Sequence, residues 1–146
     1  MKTSSGEKLR LSVAGEYGVC SELSKRGFDV SLTFGNAKAV DIFVHLDDGA
    51  FKRIEVKTTR SNKFVTGFFQ KYYDRTRNDH PDYWVLVYID TDNQSHYYIL
   101  THEEMGNIQM IANKMNEWIR IEGCDNVKRS LVEKFENNWQ IIKGER

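Results

Sequence analysis

Residues 40–59, VDIFVHLDDGAFKRIEVKTT, decide the fold that this chain is expected to adopt. Two alternating runs rich in β-forming residues, 40–46 and 51–59, lie on either side of the turn-like sequence DDGA at 47–50. The stretch therefore predicts two neighbouring antiparallel strands joined as a β-hairpin.

The register of this hairpin decides which side chains share a face of the sheet. A two-residue turn would pair Asp41 with Val56 and would mix polar and apolar residues on both faces. A three-residue loop pairs Asp41 with Glu55 instead, and it puts Gly49 in the left-handed position that such loops favour. We predict the three-residue loop, which sets the Cβ atoms of the two acidic residues about 5 Å apart. Lys57 then lies next along the same face.

The remaining elements complete an α/β fold with a mixed β-sheet flanked by helices, in the order α-β-β-β-α-β-β-α-α. Outside the hairpin we predict a helix over 13–26, a strand over 28–34, a short helix over 66–78, strands over 83–90 and 96–101, a helix from Thr101 to about Trp118, and a last helix over 127–138. Because no low-complexity linker or internal repeat divides the chain, residues 1–146 are expected to form a single domain.

Composition limits the class of protein. Hydrophobic residues make up 40% of the chain and charged residues 29%, with one Pro, which is typical of a globular protein rather than a disordered one. No stretch approaches the roughly 20 apolar residues of a membrane span, and the first residues lack the apolar core of a signal peptide. Two cysteines are too few for a disulfide framework. We therefore expect a cytoplasmic protein with no membrane association.

The charge is unevenly distributed although the net charge is zero. Residues 1–78 hold 14 Lys and Arg against 9 Asp and Glu, whereas residues 79–146 hold 7 against 12. A basic half points to a polyanionic partner, although two solvated faces of opposite sign would give the same counts. The candidate nucleic-acid-binding residues are Arg60, Lys63, Lys71, Arg75 and Arg77. Aromatic residues within 68–73 offer surfaces on which bases could stack, or else fill a core.

The predicted pair of Asp41 and Glu55 suits a hard divalent cation. Two carboxylates so close together repel each other unless a cation or a proton lies between them. Mg²⁺ prefers carboxylate oxygens and retains several waters, and the backbone carbonyl of Val56 offers a further ligand; Mn²⁺ would substitute. Lys57 could position an attacking water or stabilise the negative charge that develops on a phosphate. Such a site suits phosphodiester hydrolysis.

Residues 14–59 resemble the PD-(D/E)xK nuclease superfamily, in its restriction-endonuclease-like and Holliday-junction-resolvase-like branch. The resemblance rests on a helix bearing an acid, a strand, a turn, an Asp at the start of the next strand, and then Glu-Val-Lys. It implies a restriction-endonuclease-like fold and a Mg²⁺-dependent endodeoxyribonuclease. By position, Asp41 and Glu55 would be metal ligands, Lys57 the catalytic lysine, and Glu16 the helix acid that orients a water or a second metal.

Two further positions bear on this resemblance. Gln70, followed by Tyr73, is similar to the Gln-x-x-Tyr of some branches and would be a further catalytic residue, whereas Val40 stands where the family often has Pro. The resemblance implies DNA as the partner and allows a homodimer. Two alternatives stay open from the sequence: a nuclease-like fold without catalysis that binds nucleic acid or protein, and a structural α/β domain whose acidic C-terminal half docks on another subunit.

Overall fold

A computed structural model describes residues 4–34, 40–123 and 125–143, apart from the side chains of Phe34, Val40 and Asp41. The chain forms helix α1 (Ser5–Lys25), strands β1 (Asp29–Phe34), β2 (Val40–His45), β3 (Phe51–Thr59) and β4 (Lys63–Val65), helix α2 (Phe68–Lys71), strands β5 (Tyr83–Ile89) and β6 (Ser95–Thr101), helix α3 (His102–Asn113) and strand β7 (Asn126–Lys128). Three turns of 3₁₀ helix follow, at Arg129–Leu131, Glu133–Phe135 and Trp139–Ile141. Within the described ranges, no helix is both long and apolar enough to cross a membrane.

Five strands form one mixed sheet in the order β1-β2-β3-β5-β6. β3 and β5 are parallel, and the other neighbours are antiparallel. The predicted α/β architecture with a mixed sheet is confirmed at this level. β4 and β7 pair with each other in a separate two-stranded sheet that the sequence did not predict.

The predicted hairpin register is confirmed. The paired residues of β2 and β3 run from His45 and Phe51 to Ile42 and Ile54, which is the register of a three-residue loop. Gly49 has a φ of 87°, in the left-handed region that such a loop requires and that glycine adopts without steric cost. The alternation of polar and apolar residues and the chemistry of the turn therefore specify the same pairing.

The sheet buries a hydrophobic layer on each face. The layer between α1 and the sheet contains Val19 and Leu23 of the helix together with Ile42, Val44, Ile54, Val85, Val87 and Ile99 of the strands. The other layer contains Phe64, Phe68, Phe69, Trp84, Leu86, Leu100 and Met105. β5 supplies both layers because successive side chains of a strand point to opposite faces. Burying each large apolar side chain contributes about 1.5–3 kcal/mol, so the two layers hold the sheet between its helices.

Helix α1 begins earlier in the chain than predicted. The hydroxyl of Ser4 accepts a hydrogen bond from the backbone N–H of Glu7 at 3.1 Å and caps the helix at Ser5. The first two turns give little periodic signal because only Leu11 packs against the core, whereas Leu9 has 65% of its surface exposed. The predicted start at residue 13 is therefore wrong, and the predicted end near Gly27 is confirmed.

Helix α2 is a single turn rather than the helix predicted over 66–78. Beyond it the carboxylate of Asp74 accepts hydrogen bonds from the backbone N–H and the hydroxyl of Thr76. This local pattern is typical of turns and competes with continued helix.

Helix α3 begins with the predicted capping box between Thr101 and Glu104. It ends at Asn113, because Lys114 takes the left-handed conformation with a φ of 56°. The predicted extension to Trp118 is therefore wrong.

The last predicted helix, over 127–138, is also wrong. Val127 and Phe135 are buried and Leu131 is half-buried, so the spacing of four residues marks the core correctly. However, Val127 pairs with Phe64 in the small sheet, and the following residues form 3₁₀ turns. Asn137 takes the left-handed conformation, with a φ of 55°, near the predicted helix end.

Candidate functional site

The predicted pair of acids lies at the end of the β2–β3 ladder. The described pairing ends with Ile42 opposite Ile54. The same register continued by one residue would set Asp41 opposite Glu55, which is the pairing predicted from the sequence. The backbone of Asp41 is also paired with Thr33 of β1. The side chain of Asp41 lies outside the described part of the molecule, and the prediction for its carboxylate therefore stays a prediction.

The charges of Glu55 and Lys57 both act on the carboxyl group of Glu16. The pKa of the Glu16 carboxyl is raised above its usual value, first by partial burial and then by the negative charge of Glu55, while the positive charge of Lys57 lowers it. These three residues were predicted to share one site, and the structure brings their charges within range of one another.

Close packing of α1 on β3 permits this approach. Gly15, next to Glu16, is buried against Thr58, where no larger side chain would fit. α1 lies over the face of the sheet that carries Ile54 and Val56. Glu16 therefore approaches Glu55 from the α1 side of the strand.

Tyr72 reaches Glu55 from the opposite side of the strand. Its hydroxyl donates a hydrogen bond to Oε1 of Glu55 at 3.4 Å and accepts one from Nη2 of Arg53 at 3.3 Å. The pKa of Tyr72 is raised, first by burial and then by the charge of Glu55, whereas Arg53 opposes the shift. Neither residue was predicted for the site. Arg53 could have been found from alternation, since it lies two residues before Glu55 on the same strand.

Gln70 lies apart from Glu55. Its side-chain amide donates a hydrogen bond to the backbone carbonyl of Gly123, and its side chain is exposed. Tyr73, the other half of the Gln-x-x-Tyr pattern, is 37% exposed. It is Tyr72, one residue earlier, that contacts Glu55. The structure therefore gives Gln70 a place at the rim of the neighbouring cleft rather than a contact with the acids.

The predicted nucleic-acid-binding residues divide into two groups. Lys71, Arg75 and Arg77 line one cleft of about 950 Å³ beside Tyr72. Arg60 lies elsewhere and donates hydrogen bonds to the backbone carbonyl of Asp90 and the side chain of Asn93. Lys63 is exposed on β4. The structure therefore brings three of the five cations together on one surface.

The acids available for a metal are few. Within the described side chains, no group of three or more His, Cys, Asp or Glu is arranged to hold a metal ion. Glu55 and Glu16 are the described carboxylates of the site, and Val56 lies in β3 between Glu55 and Lys57. All these donors are oxygen atoms, which suit Mg²⁺ or Mn²⁺ better than a softer metal. Since the charge of Glu55 opposes the ionisation of Glu16, a cation between the two carboxylates would be favourable.

His102 is a structural histidine. It is buried, and its Nδ1 accepts a hydrogen bond from the indole N–H of Trp84 at 3.0 Å. Burial, followed by the neighbouring His80 and Arg53, lowers the pKa of His102 to about 4, so this imidazole is neutral at pH 7.

A comparison of the chain with protein-family models, curated proteins and solved structures finds no match to any of them. Evidence for a function therefore comes from the residues of the chain itself. The strongest evidence among these is the grouping of Glu16, Glu55 and Lys57 at the end of the hairpin ladder.

Proposed function

We propose that this chain is a Mg²⁺-dependent DNA nuclease of the PD-(D/E)xK type, with a restriction-endonuclease-like fold. The observation that carries the proposal is the close packing of Gly15 on Thr58, which brings the neighbouring Glu16 to the strand that carries Glu55 and Lys57. Glu16, Glu55 and Lys57 come from a helix and a strand that are far apart in the sequence, and the resemblance assigns all three to one catalytic centre.

The fold supports the same assignment. An N-terminal helix, an antiparallel hairpin, and a parallel strand on the far side of β3 place Glu55 and Lys57 within a mixed sheet. The described hairpin pairing ends with Ile42 opposite Ile54, and the same register continued by one residue would set Asp41 next to Glu55. A strand face exposed to solvent would account for Glu55 and for Lys57 taken separately. It would not account for the partial burial of Glu16, an acid of another element, beside both.

The oxygen donors proposed for this site are of the kind that Mg²⁺ and Mn²⁺ prefer. Asp41 and Glu55 would hold the ion through their carboxylates and Val56 through its backbone carbonyl. When bound, the ion supplies charge neutralisation at the phosphate and lowers the pKa of a coordinated water. Lys57 would donate hydrogen bonds to a phosphate oxygen or to the attacking water. Glu16 would accept a hydrogen bond from that water and so orient it.

Tyr72 and Arg53 lie next to Glu55 and could orient its carboxylate. A hydrogen-bonded partner holds a carboxylate ligand in one orientation and thereby raises its effectiveness. Here the Tyr72 hydroxyl serves that purpose and is itself held by Arg53. This chain of contacts lies on the face of β3 that carries Glu55.

Mg²⁺-dependent nicking of supercoiled DNA tests the proposed activity. We expect nicked and linear products with Mg²⁺ or Mn²⁺ and none in EDTA. Retention of intact supercoiled DNA under all these conditions would count against the activity.

The second candidate is a nuclease-like fold that binds nucleic acid or protein without catalysis, which the long Tyr72–Glu55 contact and the exposed Gln70 leave open. Calorimetric titration with Mn²⁺ separates the two candidates. The enzyme should bind Mn²⁺, and Glu55→Gln should abolish the binding. A binding module should give no heat of Mn²⁺ binding in the unaltered protein.

A further inference from the structure

We propose that the cleft beside Tyr72 binds unpaired nucleotides of the DNA strand, so that the preferred substrate carries a single-stranded segment next to the bond that is cut. The substrate preference rests on the proposed nuclease function, whereas binding of nucleotides in the cleft can be tested without cleavage. The side chains that line the cleft and carry the inference are Arg53, Lys71, Tyr72, Arg75, Arg77 and Trp118.

The size of the cleft selects the kind of ligand. Its volume is about 950 Å³, which lies within the range of about 300–1,000 Å³ found for pockets that hold drug-sized ligands. A nucleotide is a ligand of that size, whereas a double helix is too wide to enter such a concavity. A duplex could contact only the rim. The shape therefore favours nucleotides that have left the base-paired stack.

The charge of the cleft suits a phosphate backbone. Its lining contains five Lys and Arg side chains and three acids. Two of the acids are already engaged at the surface, Glu103 with Arg75 and Asp79 with Arg77. Exposed pairs of this kind are weak, because water screens them. A strand with one charge on every phosphate can therefore compete for these guanidinium groups.

Aromatic rings lie among these cations. The ring of His80 stacks on the buried His102 with centroids 4.1 Å apart and planes 9° apart. Arg75 lies over the ring of Trp118, 4.4 Å from its centroid. Proteins that bind single strands combine these two features, because bases stack on aromatic rings and guanidinium planes while phosphates contact cations.

The cleft continues into the candidate catalytic site. Arg53 and Tyr72 line the cleft, and the hydroxyl of Tyr72 donates its hydrogen bond to Glu55. A nucleotide in the cleft would therefore be separated from the proposed metal ligand Glu55 only by the side chain of Tyr72. The strand leaving the scissile phosphate would enter the cleft, which requires that it be unpaired at that point.

Fluorescence anisotropy of a labelled oligo-dT strand, in EDTA to prevent cleavage, tests the binding. We expect oligo-dT to bind more tightly than a hairpin duplex of the same length. The double variant Lys71→Gln/Arg77→Gln changes two exposed side chains of the cleft and should fold normally. It should weaken oligo-dT binding, and the slope of log K against log salt should fall by about 0.7 for each lost phosphate contact.

The control is the double variant Lys128→Gln/Lys134→Gln, which removes the same charge from exposed residues that do not line the cleft. Equal losses of affinity in the two double variants, or duplex binding as tight as oligo-dT binding, would overturn the proposal. Cleft-dependent binding of oligo-dT without any cleavage in Mg²⁺ or Mn²⁺ supports the cleft and refutes the nuclease. If the protein cleaves DNA but the cleft variant binds oligo-dT as tightly as the control variant does, the cleft proposal is refuted and the nuclease proposal is not.

Discussion

Gly15 of helix α1 lies directly against Thr58 of strand β3. A Cβ atom at position 15 would lie 2.9 Å from the Cβ of Thr58 and closer still to its hydroxyl oxygen, a separation that real side chains do not adopt. Because glycine has no side chain, the backbone of α1 can pack directly against β3. Glu16, the next residue, is thereby held within electrostatic range of Glu55 and Lys57.

Gly15→Ala should destabilise the protein by about 1–2 kcal/mol, because the cost of overpacking exceeds the higher helix propensity of Ala. Gly6→Ala in the same helix is the matched control, since its Cβ would meet only the end of the Arg10 side chain at 3.4 Å. Chemical denaturation measures both variants. Equal stability of Gly15→Ala and Gly6→Ala would show that the contact with Thr58 does not constrain the helix.

Tyr72→Phe should weaken Mn²⁺ binding about tenfold or more, because loss of the hydroxyl frees the carboxylate of Glu55 from its partner. The ring contacts with Phe68 and Trp84 would remain, so the cost in unfolding free energy should be only about 1 kcal/mol. Tyr73→Phe is the control. The two variants are compared by calorimetric titration, and an unchanged affinity in Tyr72→Phe would remove this residue from the site.

Glu16→Gln should make the metal-free protein more stable at pH 7 than the unaltered chain. The folded-state pKa of Glu16 is raised above its usual value of 4.5, so the stability it contributes is complete below that value and is lost as the pH rises through the folded pKa. The advantage of the variant should therefore shrink as the pH falls to about 4. Denaturation in EDTA at both pH values measures it.

Glu22→Gln in the same helix is the control, for which we expect a change in stability of the opposite sign. Hydrogen bonds from Lys25 and Arg26 lower the pKa of Glu22, so its stabilising contribution is present at pH 7 and is lost as the pH falls through the folded pKa. This variant should therefore be slightly less stable at pH 7. If both variants shifted stability in the same direction with pH, the assigned cause at Glu16 would be wrong.

Asp125→Ala should cost about 2 kcal/mol or more of unfolding free energy, because its loss would leave buried donors unpaired. The carboxylate is fully buried and accepts hydrogen bonds from the backbone N–H of Phe69 at 2.6 Å and from the side chain of Asn113 at 2.8 Å. Asp47→Ala, at an exposed loop, should change stability by less than about 0.5 kcal/mol. A similar, small effect in both variants would contradict the role assigned to Asp125.

The central part of the fold could be predicted from the sequence because its signals are local. In the hairpin, alternation and the left-handed Gly49 select the same register, and that register decides the face of Glu55 and Lys57. The strand β5 is recognisable for a similar reason, since a short, continuous apolar run is typical of a strand buried on both faces.

The rest depends on contacts between distant residues. Helix α2 is one turn long and is held at its start by Asp125, far along the chain. That position is what brings Tyr72 to Glu55, and no local pattern near Tyr72 indicates it. Near the C-terminus, Val127 and Phe135 have helical spacing, but the pairing of Val127 with Phe64 overrides that preference.

The most direct test of the account is a cleavage panel of single-stranded, duplex, flap and four-way-junction DNA with Mg²⁺ and Mn²⁺, using Lys57→Ala as the blank. For the proposed nuclease, we expect metal-dependent cleavage that is strongest on a DNA with an unpaired segment. This cleavage should be lost in Asp41→Ala, Glu55→Ala and Lys57→Ala variants whose circular dichroism is unchanged. Cleavage that persists in all three folded variants, or none by the unaltered protein on any DNA with either metal, would contradict it.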